Sequence, residues 1–199
     1  MKNNIIDILS VGEVLVDFIG HQSGVQIKNT RDYHRYLGGS PTNVAMNSAR
    51  LGLKAVIVST VGNDGFGKYI FKRLEEEGVI TCYINTIENK PTSVIFISRS
   101  EDTPEFIPFR EADSFITEDQ IASGLLQRTK IFHTTCFALS KNPAQTTILK
   151  KAEEAFNLGC KLSIDFNYSD KIWDSKIDAL KVIKAYCKFN PLVKISEDD

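Results

Sequence analysis

The sequence predicts an α/β protein, a mostly parallel sheet with helices on both faces, plus a small β lid. Three observations carry this. The 199 residues alternate short apolar runs with amphipathic segments, and repeated strand–helix–strand units with short turns imply parallel strands covered by helices. Three of the amphipathic segments end on a glycine, at Gly52, Gly78 and Gly159, the residue best suited to a helix stop. Two regions, 13–37 and 91–110, break the rhythm with no convincing helical period and supply the lid. With no repeat and no low-complexity linker, the chain reads as one domain with a β appendage.

Taken in order, IIDILSV (Ile5 to Val11) reads as a buried strand. SPTNVAMNSARLG reads as a helix with Ser40 at the N-cap, Pro41 in the first position and Gly52 as its stop. The strand KAVIVSTV follows, then a helix from about Gly67 to Glu77 closed by Gly78. In the second helix-free region, TSVIFIS and EFIPF read as strands joined by the polar turn RSEDTP. KIFHTTC is a strand, NPAQTTILKKAEEAFNLG a helix and CKLSIDFN another strand. A helix over about Ser175 to Lys188 and a short strand, LVKIS, complete the series.

Composition narrows the function classes. The hydrophobic content of 42% and charged content of 25% are ordinary for a globular protein. A net charge of −1 gives no electrostatic attraction to nucleic acid or an anionic membrane. No apolar run approaches the roughly 20 residues that span a bilayer, and the N-terminal run reads as a strand rather than a signal peptide. Cys82, Cys136, Cys160 and Cys187 are widely spaced, as expected of reduced, mostly buried thiols in a cytoplasmic protein. His21, His34 and His133 are equally scattered, with no metal-ligand spacing.

One stretch imitates a nucleotide-binding loop. In VGNDGFGKYIFKRLEEEG, Gly62, Gly67 and Lys68 satisfy all but the last letter of G-x-x-x-x-G-K-[ST]. A true P-loop follows the lysine with Ser or Thr, whose short hydroxyl coordinates Mg²⁺. Tyr69 holds its hydroxyl several ångströms further out. The stretch therefore reads as a structural turn, with Gly62 in the turn, Asn63 or Asp64 capping the helix, and an apolar stripe packing inward.

The stretch LGGSPTNVAMNSARLGLKAVIVSTVG, Leu37 to Gly62, is more specific. Paired glycines let a backbone approach a ligand, the helix beginning there presents free N–H groups, and Asn43 offers both a donor and an acceptor. Gly38, Gly39, Pro41, Asn43 and Ala45, then Gly52 and Gly62, at these spacings resemble the N-terminal signature of the PfkB-type carbohydrate kinases, the ribokinase-like family. GEVLVDF, FIPFREAD, SIDFNYSDKIW and VKISEDD resemble further family segments in the same order.

The resemblance implies ATP-dependent phosphorylation of a small sugar, most of all fructose. It places Asp17, Gly38, Gly39, Asn43, Asp165 and Asn167 around the sugar, with Arg110 reaching over it from the lid. Ser196 and Asp199 fall where the family's N-x-x-E stretch assists metal and phosphate. ATP and Mg²⁺ are the implied cofactors, a monovalent cation is left open, and a homodimer through the lid is implied. The family's G-A-G-D motif, which supplies the anion hole and the catalytic aspartate, matches nothing here, since no glycine follows Gly159. The chain is thus expected to hold the sugar half without the ATP half, and no catalytic residue. Two alternatives stay open: a kinase for 2-keto-3-deoxygluconate or a related sugar acid, and a non-catalytic sugar-binding or dimerising remnant. Ser169, where sugar-acid kinases often carry an arginine, favours a neutral sugar. A Rossmann dehydrogenase is disfavoured, because Gly12 is followed by EVLVDFIG rather than by the remaining glycines of G-x-G-x-x-G.

Overall fold

The computed structural model describes residues 6–100 and 105–196. Ten strands are present among them: β1 (Ile6–Val11), β2 (Leu15–Ser23), β3 (Tyr33–Gly38), β4 (Ala55–Gly62), β5 (Ile80–Ile87), β6 (Val94–Arg99), β7 (Phe106–Phe109), β8 (Thr129–Thr135), β9 (Lys161–Asp165) and β10 (Leu192–Lys194). The helices are α1 (Ser40–Arg50), α2 (Gly65–Glu76), the single turn α3 (Ser123–Leu126), α4 (Ala144–Asn157) and α5 (Lys176–Cys187). Six strands form a fully parallel sheet in the order β10-β9-β8-β1-β4-β5, and four form a second sheet in the order β3-β2-β6-β7.

Period-two side-chain alternation explains how the large sheet is covered. Ile8, Ala55 and Ile57 pack with Ala45 and Met46 of α1 and with Ile70 and Leu74 of α2. Their neighbours Leu9, Val56 and Val58 point to the other face, among Ile148, Ala152 and Ala155 of α4 and Ala179 and Ile183 of α5. Both faces are therefore apolar, and the inner strands read as continuous hydrophobic runs. The three glycine stops hold φ of +82°, +75° and +86° at Gly52, Gly78 and Gly159.

The second sheet is the lid, built from the two helix-free regions by parallel pairing of β2 with β6. Its connecting turn lies partly outside the described residues. Its outer face stacks Phe18 on Phe96, with ring centroids 5.0 Å apart, and sets Phe18 edge-on to Phe66 of α2 at 5.5 Å.

Three readings need correction. Strand β5 has no counterpart in the sequence reading, because ITCYINTI is a half-exposed edge strand without a continuous apolar run. Helix α1 is capped by Gly39, and Ser40 already lies inside the helix. The cysteines are free, but Cys82 and Cys187 are exposed, so only Cys136 and Cys160 are buried. No helix among the described residues is long and apolar enough to cross a membrane.

Candidate functional site

Because every strand of the large sheet runs the same way, all their C-terminal ends meet at one edge, where open α/β sheets hold ligands. The chain leaves β1 through Glu13, β8 through Phe137 and β9 through Asn167 at that edge, and the lid crosses above it. A hollow of about 620 Å³ separates them. The lid contributes Leu15, Asp17, Ile95, Ile97 and Phe106, which its register places on one face. The body contributes Glu13, Gly39, Ser40, Asn43, Asp165 and Asn167.

Asp17 comes from β2, opposite Ile95. Burial pushes its carboxyl up to about 6, since desolvation disfavours the charged form. Gly38 does not line the hollow. A Cβ there would collide with the Asp17 carboxylate, so this glycine makes room for the acid rather than for a ligand. Gly39 does line it, with φ of +102° and so close to the Glu13 carbonyl that a Cβ would overlap it.

The helix launched by this bend places Asn43 in its first turn, exposed towards the hollow. Ser40 Oγ donates to Asp165 Oδ2 at 2.5 Å, joining the start of α1 to the end of β9. The Lys194 ammonium stands 3.0 Å from Asp165 Oδ1 as an ion pair without hydrogen-bond alignment. Asn167 accepts the Phe137 N–H on Oδ1 at 3.1 Å, which fixes the loop after β8. Eight of the residues lining the hollow are polar or ionisable, and they come from three parts of the chain: Glu13 and Asp17 at the start of the lid, Ser40 and Asn43 on α1, and Asp165, Asn167, Tyr168 and Ser169 at and after the end of β9.

Glu13 was not expected here. It is 2% exposed, accepts from Ser40 N–H at 3.2 Å and from the Thr135 hydroxyl at 2.7 Å, and lines the hollow. Desolvation, opposed by the Thr135 hydrogen bond, moves its carboxyl up to about 7. The signal was a lone charge in the apolar run SVGEVLV, the same segment that yields Asp17.

Arg110 is a correction. Its side chain does not line the hollow and is buried, with Nε and Nη2 donating to Asp113 Oδ2 at 3.0 and 2.5 Å. Nη1 donates to the Phe137 carbonyl at 3.2 Å and to Ser140 Oγ, and the guanidinium lies 4.1 Å from the Phe137 ring centroid. A cation enclosed in this way braces the lid hinge and cannot also swing over a ligand. Ser196 follows β10 on the exposed sheet edge, away from the hollow lining. Asp199 lies outside the described residues.

The P-loop imitation does not fit a phosphate. Asp64 accepts the N–H groups of Phe66 and Gly67 at 2.9 and 2.8 Å, and also takes the Thr92 N–H and hydroxyl, each at 2.8 Å. Burial opposes its charge, but these donors hold the carboxyl below the usual carboxylate range. The donors that a phosphate would need are spent on a negative side chain. Lys68 is exposed, and Tyr69 packs under the Arg35 guanidinium at 3.9 Å. Among the described residues no group of three His, Cys, Asp or Glu side chains is placed to hold a metal ion. His133 is also inert: it is buried in β8, pushed down to about 4 by desolvation, and paired through Nδ1 with Ser163 Oγ at 3.1 Å.

The pfkB family carbohydrate kinase profile matches residues 6–199. This chain belongs to the pfkB family of carbohydrate kinases. Among curated pfkB relatives, it is 35% identical over 193 residues to the ATP-dependent 6-phosphofructokinase of Thermoanaerobacterium thermosaccharolyticum, covering 97% of this chain and 59% of that protein. It is 34% identical to the fructokinase of Solanum tuberosum, covering 89% of this chain and 56% of that one. Halothermothrix orenii fructokinase superposes with a TM-score of 0.84 at 35% identity, over 90% of this chain and 64% of that structure. A Pyrococcus horikoshii sugar kinase solved in complex with ATP superposes at 0.90 with 30% identity, over 96% and 63%. The chain therefore spans about three fifths of the length of these pfkB relatives.

Proposed function

We propose that this chain forms the sugar-binding part of an ATP-dependent kinase whose substrate is a neutral ketohexose, fructose above all. The observation that carries the choice is the hollow's lining. It presents Asp17, Asn43, Asp165 and Asn167, with no lysine, arginine or histidine among the described lining residues. Carboxylates and amides accept and share the hydrogen bonds of hydroxyl groups, whereas a sugar acid or sugar phosphate needs a cationic partner. Arg110, the cation that the sequence suggested for the sugar, is committed to Asp113, and Lys194 is paired with Asp165.

In this reading Asp17 accepts sugar hydroxyls from the lid side, and Asn43 and Asn167 meet the sugar from the body. The Gly39 bend brings backbone close to it, and Asp165 holds the first turn of α1 in place through Ser40. Leu15, Ile95, Ile97 and Phe106 form the apolar roof that excludes water. ATP·Mg²⁺, any monovalent cation and the general base that deprotonates the attacking hydroxyl are assigned to the whole protein by the family resemblance, whose G-A-G-D motif has no match in this sequence. The exposed side chains of Tyr36, Ile107 and Phe109 on the lid support a homodimer formed there, and the free cysteines fit a cytoplasmic setting.

The test is an ADP-release assay on the whole protein with fructose, ribose, fructose 6-phosphate and 2-keto-3-deoxygluconate. Fructose should give the highest kcat/KM. A preference for either anionic substrate would overturn the neutral-sugar reading, and no ADP release with any of them would favour a non-catalytic remnant.

A further inference from the structure

Glu13 takes no part in the sugar contacts proposed above, yet it lines the same hollow and is almost completely enclosed. Its side chain cannot turn away. Ser40 N–H and the Thr135 hydroxyl hold its two oxygens at 3.2 and 2.7 Å. Thr135 Oγ1 in turn accepts the Ala138 N–H at 2.9 Å, so its own proton is committed to Glu13. The Glu13 carbonyl is gripped as well, by Thr42 Oγ1 at 3.4 Å and by the close approach of Gly39. The acid is thus fixed between the end of β1, the start of α1 and the end of β8.

A carboxylate has about four lone-pair positions; Ser40 N–H and the Thr135 hydroxyl take one on each oxygen, and the backbone N–H of Glu13 itself also lies against the carboxylate, which leaves fewer than two open. We propose that Glu13 is a further ligand-binding residue, whose carboxylate accepts a sugar hydroxyl on the acceptor position that these groups leave open. This rests on the sugar-kinase reading above.

The surrounding charges favour a donor-rich neutral ligand. Arg110 and Asp113 are the charged neighbours from the lid hinge, and they neutralise each other at 2.5 Å. Asp17 and Asp165 share the hollow, and Asp165 carries Lys194 beside it. His133 of β8 is buried and uncharged. Glu13 and Asp17 are therefore the acids here without a cation against them. Burial raises the Glu13 carboxyl to about 7, so a hydroxyl donor that stabilises its charged form favours loss of its proton on binding near neutral pH.

Calorimetry of D-fructose binding to the whole protein at about pH 7, in buffers of different ionisation enthalpy, measures that proton directly. The wild type should release a measurable fraction of a proton per fructose. Glu13→Gln keeps an acceptor for Ser40 N–H and gives a donor for Thr135 Oγ1, so it should fold. It should bind fructose about 10-fold more weakly and lose most of the proton release. Asp17→Asn should weaken binding yet keep the release, because Asp17 titrates nearer 6. Wild-type affinity and proton release in Glu13→Gln would overturn the inference. If that variant does not fold, the wild-type affinity decides: a severalfold gain between about pH 6 and 8 supports the role, and a flat profile overturns it. A wild type with no fructose affinity would instead remove the sugar reading, and this inference with it.

Discussion

Asp17 and Asp64 both stand beside a glycine-rich bend where the lid meets the body, and the protein treats the two carboxylates in opposite ways. Asp64 collects four donors from Phe66, Gly67 and Thr92, and these hold its carboxyl below the usual range. Asp17 is withdrawn from water until its carboxyl rises to about 6, with desolvation as the cause. A satisfied acid stabilises the fold whether or not a ligand arrives. A desolvated acid without donors costs stability until a ligand supplies them, which is how binding sites commonly differ from structural ones. The loop that resembles a nucleotide site is the structural one, and the acid on the lid strand faces the hollow.

The comparison yields three tests, in descending size of effect. Replacing Asp17 with Asn in the whole protein should raise the KM for fructose about 10- to 100-fold, the loss of a charged hydrogen bond, and leave the KM for ATP unchanged. The same change should stabilise the protein. A folded-state value raised from 3.8 to about 6 means the native state binds the proton more tightly. Stability is then full below about pH 4 and is lost as pH rises through 6. At pH 7 the aspartate costs up to about 3 kcal/mol, less where solvent reaches it, and Asn relieves that cost. Urea unfolding showing Asp17→Asn less stable than wild type would break the contrast.

Asp64→Ala should behave in reverse. It removes a helix cap together with the bonds to Thr92, for a loss of about 2 kcal/mol in the same unfolding experiment. The KM for fructose should stay within about twofold, and a larger rise would make Asp64 part of the site. The smallest effect is expected at Lys68, which is exposed and faces a loop already filled by Asp64. Lys68→Ala should leave kcat and the KM for ATP unchanged. A 100-fold fall in kcat, as in a working P-loop, would contradict the reading of this loop.

How much of this was legible in the sequence depended on how local the cause was. Strands β1 and β4 were legible because coverage on both faces buries nearly every position and makes them mostly apolar, whereas β5 at the edge mixes Thr81, Asn85 and Thr86 with apolar residues. Asp17, Asn43, Asp165 and Asn167 were legible through their motifs, and the fold brings them to one hollow. Glu13 was not, because its partners lie 27 and 122 residues away. Arg110 misled for a related reason. Its motif was visible, but the Phe137 and Ser140 groups that enclose it come from another part of the chain.

The most direct test is a crystal structure of the whole protein with fructose bound. The sugar should occupy the hollow under the lid, with a hydroxyl within hydrogen-bond distance of Asp17 and another within reach of Asn43. Fructose seated at the start of α2, or anywhere that leaves Asp17 and Asn43 without contact, would contradict the assignment.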